Sequence, residues 1–210
     1  MLITRPNHDI TTNYLYYWCI ILINLAKKRK ISVSDLAKDR ANVLEFTSVV
    51  SKTKPKLIVL NGHGDKSVVA GQNNKILVQA GKNHNLLKGS VVYSRSCKSA
   101  CKLGPQAIIA GCKAYIGYNE DFVFVTEDTK ISRPLEDRTA KLFLEPSNQV
   151  VISLLKGHTS SESNKRSKEL YKRNIQKLMS SSSSKEDVEL IPNLVWDYMH
   201  LVCLEPKDGL

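Results

Sequence analysis

Four apolar residues in unbroken succession, Leu57-Ile58-Val59-Leu60, run straight into Asn61-Gly62-His63-Gly64-Asp65. A strand with one wet face alternates apolar and polar residues. An unbroken run marks a strand covered on both faces, as in a parallel sheet flanked by helices. Ser90 to Tyr93 and Ala114 to Tyr118 repeat the pattern, and Leu2 to Thr4 and Ile31 to Val33 read as further short strands. Between them lie helical stretches. Thr11 to Lys28 is apolar on more than one face and ends in Lys27-Lys28-Arg29-Lys30, where the helix dipole favours cations. Asp39 to Thr53 sets Val43, Phe46 and Val50 on one face, and Leu103 to Ala110 is closed by Gly111. This alternation predicts an α/β chain with a mostly parallel central sheet and helices on both faces.

The rest of the chain is less regular. Val68-Val69-Ala70 and Ile76-Leu77-Val78 flank Gly71-Gln72-Asn73-Asn74, which reads as a hairpin over Ser67 to Gln79. Phe122 to Val125 is strand-like. Arg133 to Glu145 is a predicted helix with Pro134 near its start, and Ser147 is placed to cap another through Leu155, closed by Gly157. Ser163 to Met179 is a basic helix with Tyr171, Ile175 and Leu178 on one face. Ser180 to Ser184 reads as a flexible joint, with residues 180–186 expected to be exposed and mobile. Leu201 to Leu204 is a last strand. The expected organisation is one domain over residues 1–210, with 157–190 a basic, helical and Ser-rich insertion before that strand.

Composition limits the setting. No charged region followed by an apolar run stands at the N-terminus, and the most apolar stretch, Tyr14 to Ala26, is shorter than the roughly 20 residues of a spanning helix. Five cysteines, an odd number, argue against a disulfide framework. A cytoplasmic protein without a membrane partner is the expectation. The net charge of +11 attracts nucleic acid, acidic proteins or anionic membranes without naming which.

In open parallel sheets, functional groups lie just beyond the carboxyl ends of strands. Two reactive groups fall there: His63 after one strand and Cys97 after the next parallel candidate. A thiol is a modest nucleophile until an imidazole takes its proton. The developing oxyanion needs donors, which the Gly64 and Cys97 amides can supply. The glycines flanking His63 permit a sharp turn and close backbone approach. The chemistry calls for no metal or organic cofactor. Cys101, four residues after Cys97, raises a zinc site with His63, but a fourth ligand is not evident and no metal is expected there. Cys19, Cys112 and Cys203 read as packed thiols, and His8, His84, His158 and His200 as surface or loop residues.

At this point the chain resembles a family. "LIVLNGHGD", followed by "SVVYSRSCKSACKLGPQAIIAGCKAYIGYNEDF", is similar to the caspase-like cysteine peptidases, which include caspases, metacaspases, gingipains, legumain, separase and bacterial CHAT domains. The likeness covers most of residues 1–125 and returns in "LVWDYMHLVCLEPKDG" near the C-terminus. It implies a three-layer α/β/α sandwich and a cysteine endopeptidase acting on protein substrates, with His63 as base, Cys97 as nucleophile and the Gly64 and Cys97 amides as oxyanion donors. The caspase pentapeptide is absent, so caspase preference does not transfer. The resemblance also assigns the substrate pocket to Arg95, two residues before the cysteine, to Arg5 at the end of the first strand, and to Asp121 in "YNEDF". Two guanidinium groups favour an acidic side chain at the cleaved bond, which is the expectation; acids from "YNEDF" would favour a basic one or neutralise Arg95. A regulatory protein partner is in keeping with bacterial relatives. The alternatives are a catalytically silent scaffold of the same fold and a basic α/β protein that binds nucleic acid.

Overall fold

The computed structural model describes residues 1–180 and 184–206. Eight strands and seven α-helices follow in chain order: β1 (Leu2–Arg5), α1 (Ile10–Lys28), β2 (Ser34–Ala37), α2 (Val43–Thr53), β3 (Leu57–Asn61), β4 (Val68–Ala70), β5 (Ile76–Gln79), β6 (Val91–Arg95), α3 (Leu103–Ile109), β7 (Ala114–Tyr118), α4 (Arg138–Leu155), α5 (Ser160–Leu178), α6 (Lys185–Glu189), α7 (Ile191–His200) and β8 (Leu201–Leu204). Six strands form one sheet in the order β2-β1-β3-β6-β7-β8. All neighbours are parallel except β7 and β8, which are antiparallel. β4 and β5 make the expected hairpin, a separate two-stranded sheet.

The unbroken apolar runs have a direct cause. Ile3, Val59, Tyr93 and Ile116 point to one face, where they meet Leu22 and Ile23 of α1, Phe143 and Val150 of α4, and Tyr171 of α5. Their chain neighbours Leu2, Ile58, Leu60, Val92 and Tyr115 point to the other, against Phe46 of α2, Leu77 of the hairpin and Leu103 of α3. Both faces are dry, so each strand residue gains from burial, by about 1.5–3 kcal/mol for a large aliphatic side chain. Helices thus cover both faces of the sheet. α5, read from sequence as part of an insertion, contributes Tyr171 and Leu178 to the main core.

Several boundaries differ from the expectation. The second strand is Ser34–Ala37 rather than Ile31 to Val33. It is an edge strand paired only with β1, and Ile31 and Val33 pack against the core from the preceding turn. Residues 38–40 form a 3₁₀ turn, and α2 starts after Asn42, whose side chain caps the Leu44 and Glu45 amides. Phe122 to Val125 is not a strand: Phe122 and Phe124 pack against Tyr14, Leu15, Trp18, Ala140 and Leu144 instead. The stretch before β8 is the helix α7. The centre of the serine run, 181–183, lies outside the described residues. Ser184 caps α6, so Lys185 and Glu186, though exposed, are helical.

The two helices expected on either side of residue 146 are one helix. α4 runs through Pro146 without ending. Proline has no N–H for the carbonyl four residues back, that of Leu142. The Asn174 side-chain amide of α5 donates to that carbonyl at 2.8 Å, and the Tyr171 hydroxyl donates to the Phe143 carbonyl at 3.2 Å. Ser167 then donates to the carbonyl of Pro146 itself. The buried serines Ser160, Ser163 and Ser167 allow α5 to approach closely. Asn174→Ala should therefore lower stability by about 1–2 kcal/mol, the cost of an abandoned acceptor. In a Pro146→Ala background, where the helix supplies its own amide, that cost should shrink. Urea unfolding of the four proteins in a double-mutant cycle measures the difference.

Candidate active site

The parallel strands deliver their carboxyl ends to one edge of the sheet. Asn61, the last residue of β3, lies in register beside Arg95, the last residue of β6. His63 and Cys97 each follow two residues later, so both leave the same edge from adjacent strands. Their connections are stitched together. The Gly62 amide donates to the Arg95 carbonyl at 3.4 Å, and the Ser96 hydroxyl donates to the His63 carbonyl at 3.1 Å.

The glycines around His63 are required by this stitching. A Cβ on Gly64 would stand 2.0 Å from the Ser96 Oγ and 2.6 Å from the Val68 carbonyl oxygen. Gly62 has φ +142°, and a Cβ there would meet the Ala70 carbonyl oxygen at 2.2 Å. His63 is thus held between two points of backbone contact. After Cys97 the chain turns sharply through Lys98, a non-glycine residue at φ +55°, a conformation that costs about 1 kcal/mol. α3 does not begin until Leu103, so Cys97 and Cys101 lie in turns rather than on a helix. Cys101 donates its thiol to the Asn119 carbonyl at 2.9 Å. Among the described residues, the Gly64 and Cys97 amides have no backbone acceptor.

His63 does not hydrogen-bond Cys97. Its Nε2 pairs with the Asp9 Oδ2 at 2.6 Å. Asp9 caps α1, where its Oδ1 accepts from the Thr12 amide at 2.7 Å and the Thr12 hydroxyl at 2.8 Å. Burial pushes the Asp9 carboxyl up, but these hydrogen bonds and His63 outweigh it and hold it below the usual range. His8 lies beside them, its Nε2 3.5 Å from the same Asp9 oxygen. Sequence reasoning does not bring Asp9 or His8 to the site, although an Asp-x-x-Thr cap opening an apolar helix after the first strand does put them at this edge.

Cys97 is half-buried, with its thiol 4.0 Å from the Phe122 carbonyl. Burial pushes its pKa above the ordinary thiol value, and the neighbouring Asp121 pushes it further. Asp121 in turn meets the Lys98 Nζ at 3.2 Å. The segment that carries it is anchored by α7: the Trp196 indole donates to the Asp121 carbonyl at 2.9 Å, and the Val123 amide donates to Asp197 at 3.0 Å. Burial holds the Asp197 carboxyl far above its usual range.

The two arginines assigned to the substrate pocket lie elsewhere. Arg95 is 0% exposed; its guanidinium donates to Asn61, Asn148 and the Cys19 sulfur. Arg5 is buried in a bidentate pair with Asp35 on β2, with its guanidinium over the Tyr16 ring. Both side chains point into the helical layer of α1 rather than out over the strand ends. Of the three pocket residues, Asp121 alone stands beside Cys97.

No protein-family model matches the chain, and no curated protein matches it in sequence. Among the described residues no helix is long and apolar enough to cross a membrane, and all five cysteines are free.

The raised thiol pKa leaves Cys97 protonated at neutral pH, whereas Cys101 is exposed. Iodoacetamide at pH 7 should therefore modify Cys101 before Cys97, and the Cys97 rate should still be climbing above the ordinary thiol pKa. Peptide mapping of time points between pH 7 and pH 10 checks the order.

Proposed function

We propose that the protein is a cysteine endopeptidase of caspase-like type, with Cys97 as nucleophile and His63 as general base. The observation that carries this reading is the register pairing of Asn61 with Arg95, which sends an imidazole and a thiol off the same edge of adjacent parallel strands. The Gly64 and Cys97 amides, without backbone acceptors, supply the second requirement, donors for an oxyanion. The mostly parallel sheet with helices on both faces agrees with the family resemblance.

In this reading the Cys97 sulfur attacks the scissile carbonyl carbon while His63 takes the thiol proton. The oxyanion rests on the two amides. Collapse breaks the C–N bond, and His63 returns the proton to the departing amine. Water, deprotonated by His63, then releases the acyl group from sulfur. Asp9 on Nε2 orients the ring, so it is a positioning residue. The raised pKa of Cys97 describes a resting thiol, whose proton must pass to His63 as it attacks.

With Arg5 and Arg95 bonded internally, an acidic side chain at the cleaved bond loses its partners. Asp121 and Glu120 share the single cation Lys98, and the negative charge left over favours Lys or Arg there. The protein is proposed to act in the cytoplasm on protein substrates, without an organic cofactor. The positive charge offers nucleic acid as a second partner class, but α5 lacks the aromatic residues of a base-stacking surface beyond the buried Tyr171.

Peptides differing only in Asp, Asn, Arg or Lys before the cleaved bond test both parts. Cleavage after Arg or Lys is expected, abolished by Cys97→Ala and reduced at least about 100-fold by His63→Ala. Cleavage that persists in Cys97→Ala would overturn the assignment, and turnover of the Asp peptide alone would overturn the preference.

A further inference from the structure

The sheet order β2-β1-β3-β6 contains a change of direction. The chain leaves β1 toward one edge and leaves β3 toward the other, so a crevice opens between the carboxyl ends of β1 and β3. Three side chains converge there: His8 and Asp9 from the connection after β1, and His63 from the connection after β3. One ligand atom from each lies within 4.8 Å of the others. We propose that His8, Asp9 and His63 form a binding site for a divalent transition-metal ion of the zinc type.

The donor set is right for such an ion. Two imidazoles and one carboxylate, with a position left for water, are a common zinc arrangement. Bond lengths of about 2.0–2.2 Å set ligand atoms roughly 3.3 Å apart in a tetrahedron. The His8 Nε2 and Asp9 Oδ2 are already 3.5 Å apart, and the His63–Asp9 hydrogen bond of 2.6 Å needs to open by less than about 1 Å. The exposure of Asp9 and His63 leaves an approach for the ion.

The ligands are also held in place. Thr12 occupies Oδ1 of Asp9 and leaves Oδ2 to face the imidazoles. The Thr12 hydroxyl further accepts from the His8 and Asp9 amides. The His8 ring is held by Asn74, whose Oδ1 lies 3.1 Å from Nε2. With Nε2 as the ligand nitrogen, the ring proton sits on Nδ1, which is buried without a hydrogen-bond partner, and Asn74 must turn away from the ion. Outer-shell partners such as Thr12 orient ligands in metal sites generally.

This site stands independently of the peptidase reading. If that reading also holds, an ion on His63 removes the base, and the metal is an inhibitor. The proposal is tested by binding alone. Tag-free, full-length protein carrying Cys97→Ser and Cys101→Ser, which removes the accessible thiols near the site, is titrated with zinc chloride by calorimetry. Cobalt(II) serves as a spectroscopic probe. One ion per chain is expected, with d–d bands and no thiolate charge-transfer band. His8→Ala and Asp9→Asn should each weaken binding at least 10-fold. Asn is itself a good helix cap, so Asp9→Asn keeps the fold of α1, and circular dichroism verifies it. Absence of saturable binding, or an affinity unchanged by both variants, would overturn the proposal.

Discussion

A guanidinium with no access to water sits beneath the candidate site, and the arrangement above it depends on how that charge is satisfied. Arg95 donates to Asn61 on the neighbouring strand, to Asn148 on α4 and to Cys19 on α1. Asn148 donates onward to the Trp18 carbonyl, and Asn61 donates to Thr4 on β1. One charge thereby ties three strand ends to two helices. A buried cation is costly unless its donors are met, and removing one partner of such a group costs several kcal/mol. The strand ends accordingly have little freedom to slide, and the residues two positions beyond them inherit that rigidity.

The two sides of the site are held by different means. His63 emerges between two glycines pressed against neighbouring backbone, and Asp9 holds its ring from the end of α1. Cys97 emerges into a turn, and a segment without regular structure, anchored by α7, lies beside its thiol. The His63 side is held by neighbouring backbone and one carboxylate, the thiol side by hydrogen bonds of 2.8–3.0 Å from the segment after β7 to α7.

Much of the sheet was legible because its strands are dry on both faces, and an unbroken apolar run of that length is too short for a buried helix. β2 was not, since Ser34-Asp35-Leu36-Ala37 is an edge strand with only Leu36 buried. Phe122 and Phe124 misled for the opposite reason: apolar residues in an irregular segment bury themselves against helices as readily as in a sheet. Pro146 suggested a helix break because the compensating donor, Asn174, is 28 positions away in sequence. At the site, the placement of His63 and Cys97 could be read from strand ends alone. The direction of Arg5 and Arg95 could not, because the last residue of a strand faces either layer according to register. Asp9 carries no local signal that joins it to His63, because the contact spans 54 positions of the chain.

The anchoring of the segment after β7 carries a consequence for the order of assembly. Asn119 is bound through backbone and side chain to His200, Asp121 to Trp196, and Val123 to Asp197. These partners lie about 75–80 positions later in the chain. On the ribosome, the strands that present His63 and Cys97 emerge long before the helix that secures the thiol's surroundings. A nascent chain therefore displays an unsecured thiol for the time needed to synthesise α4 through α7, and the site becomes itself only with the last helix.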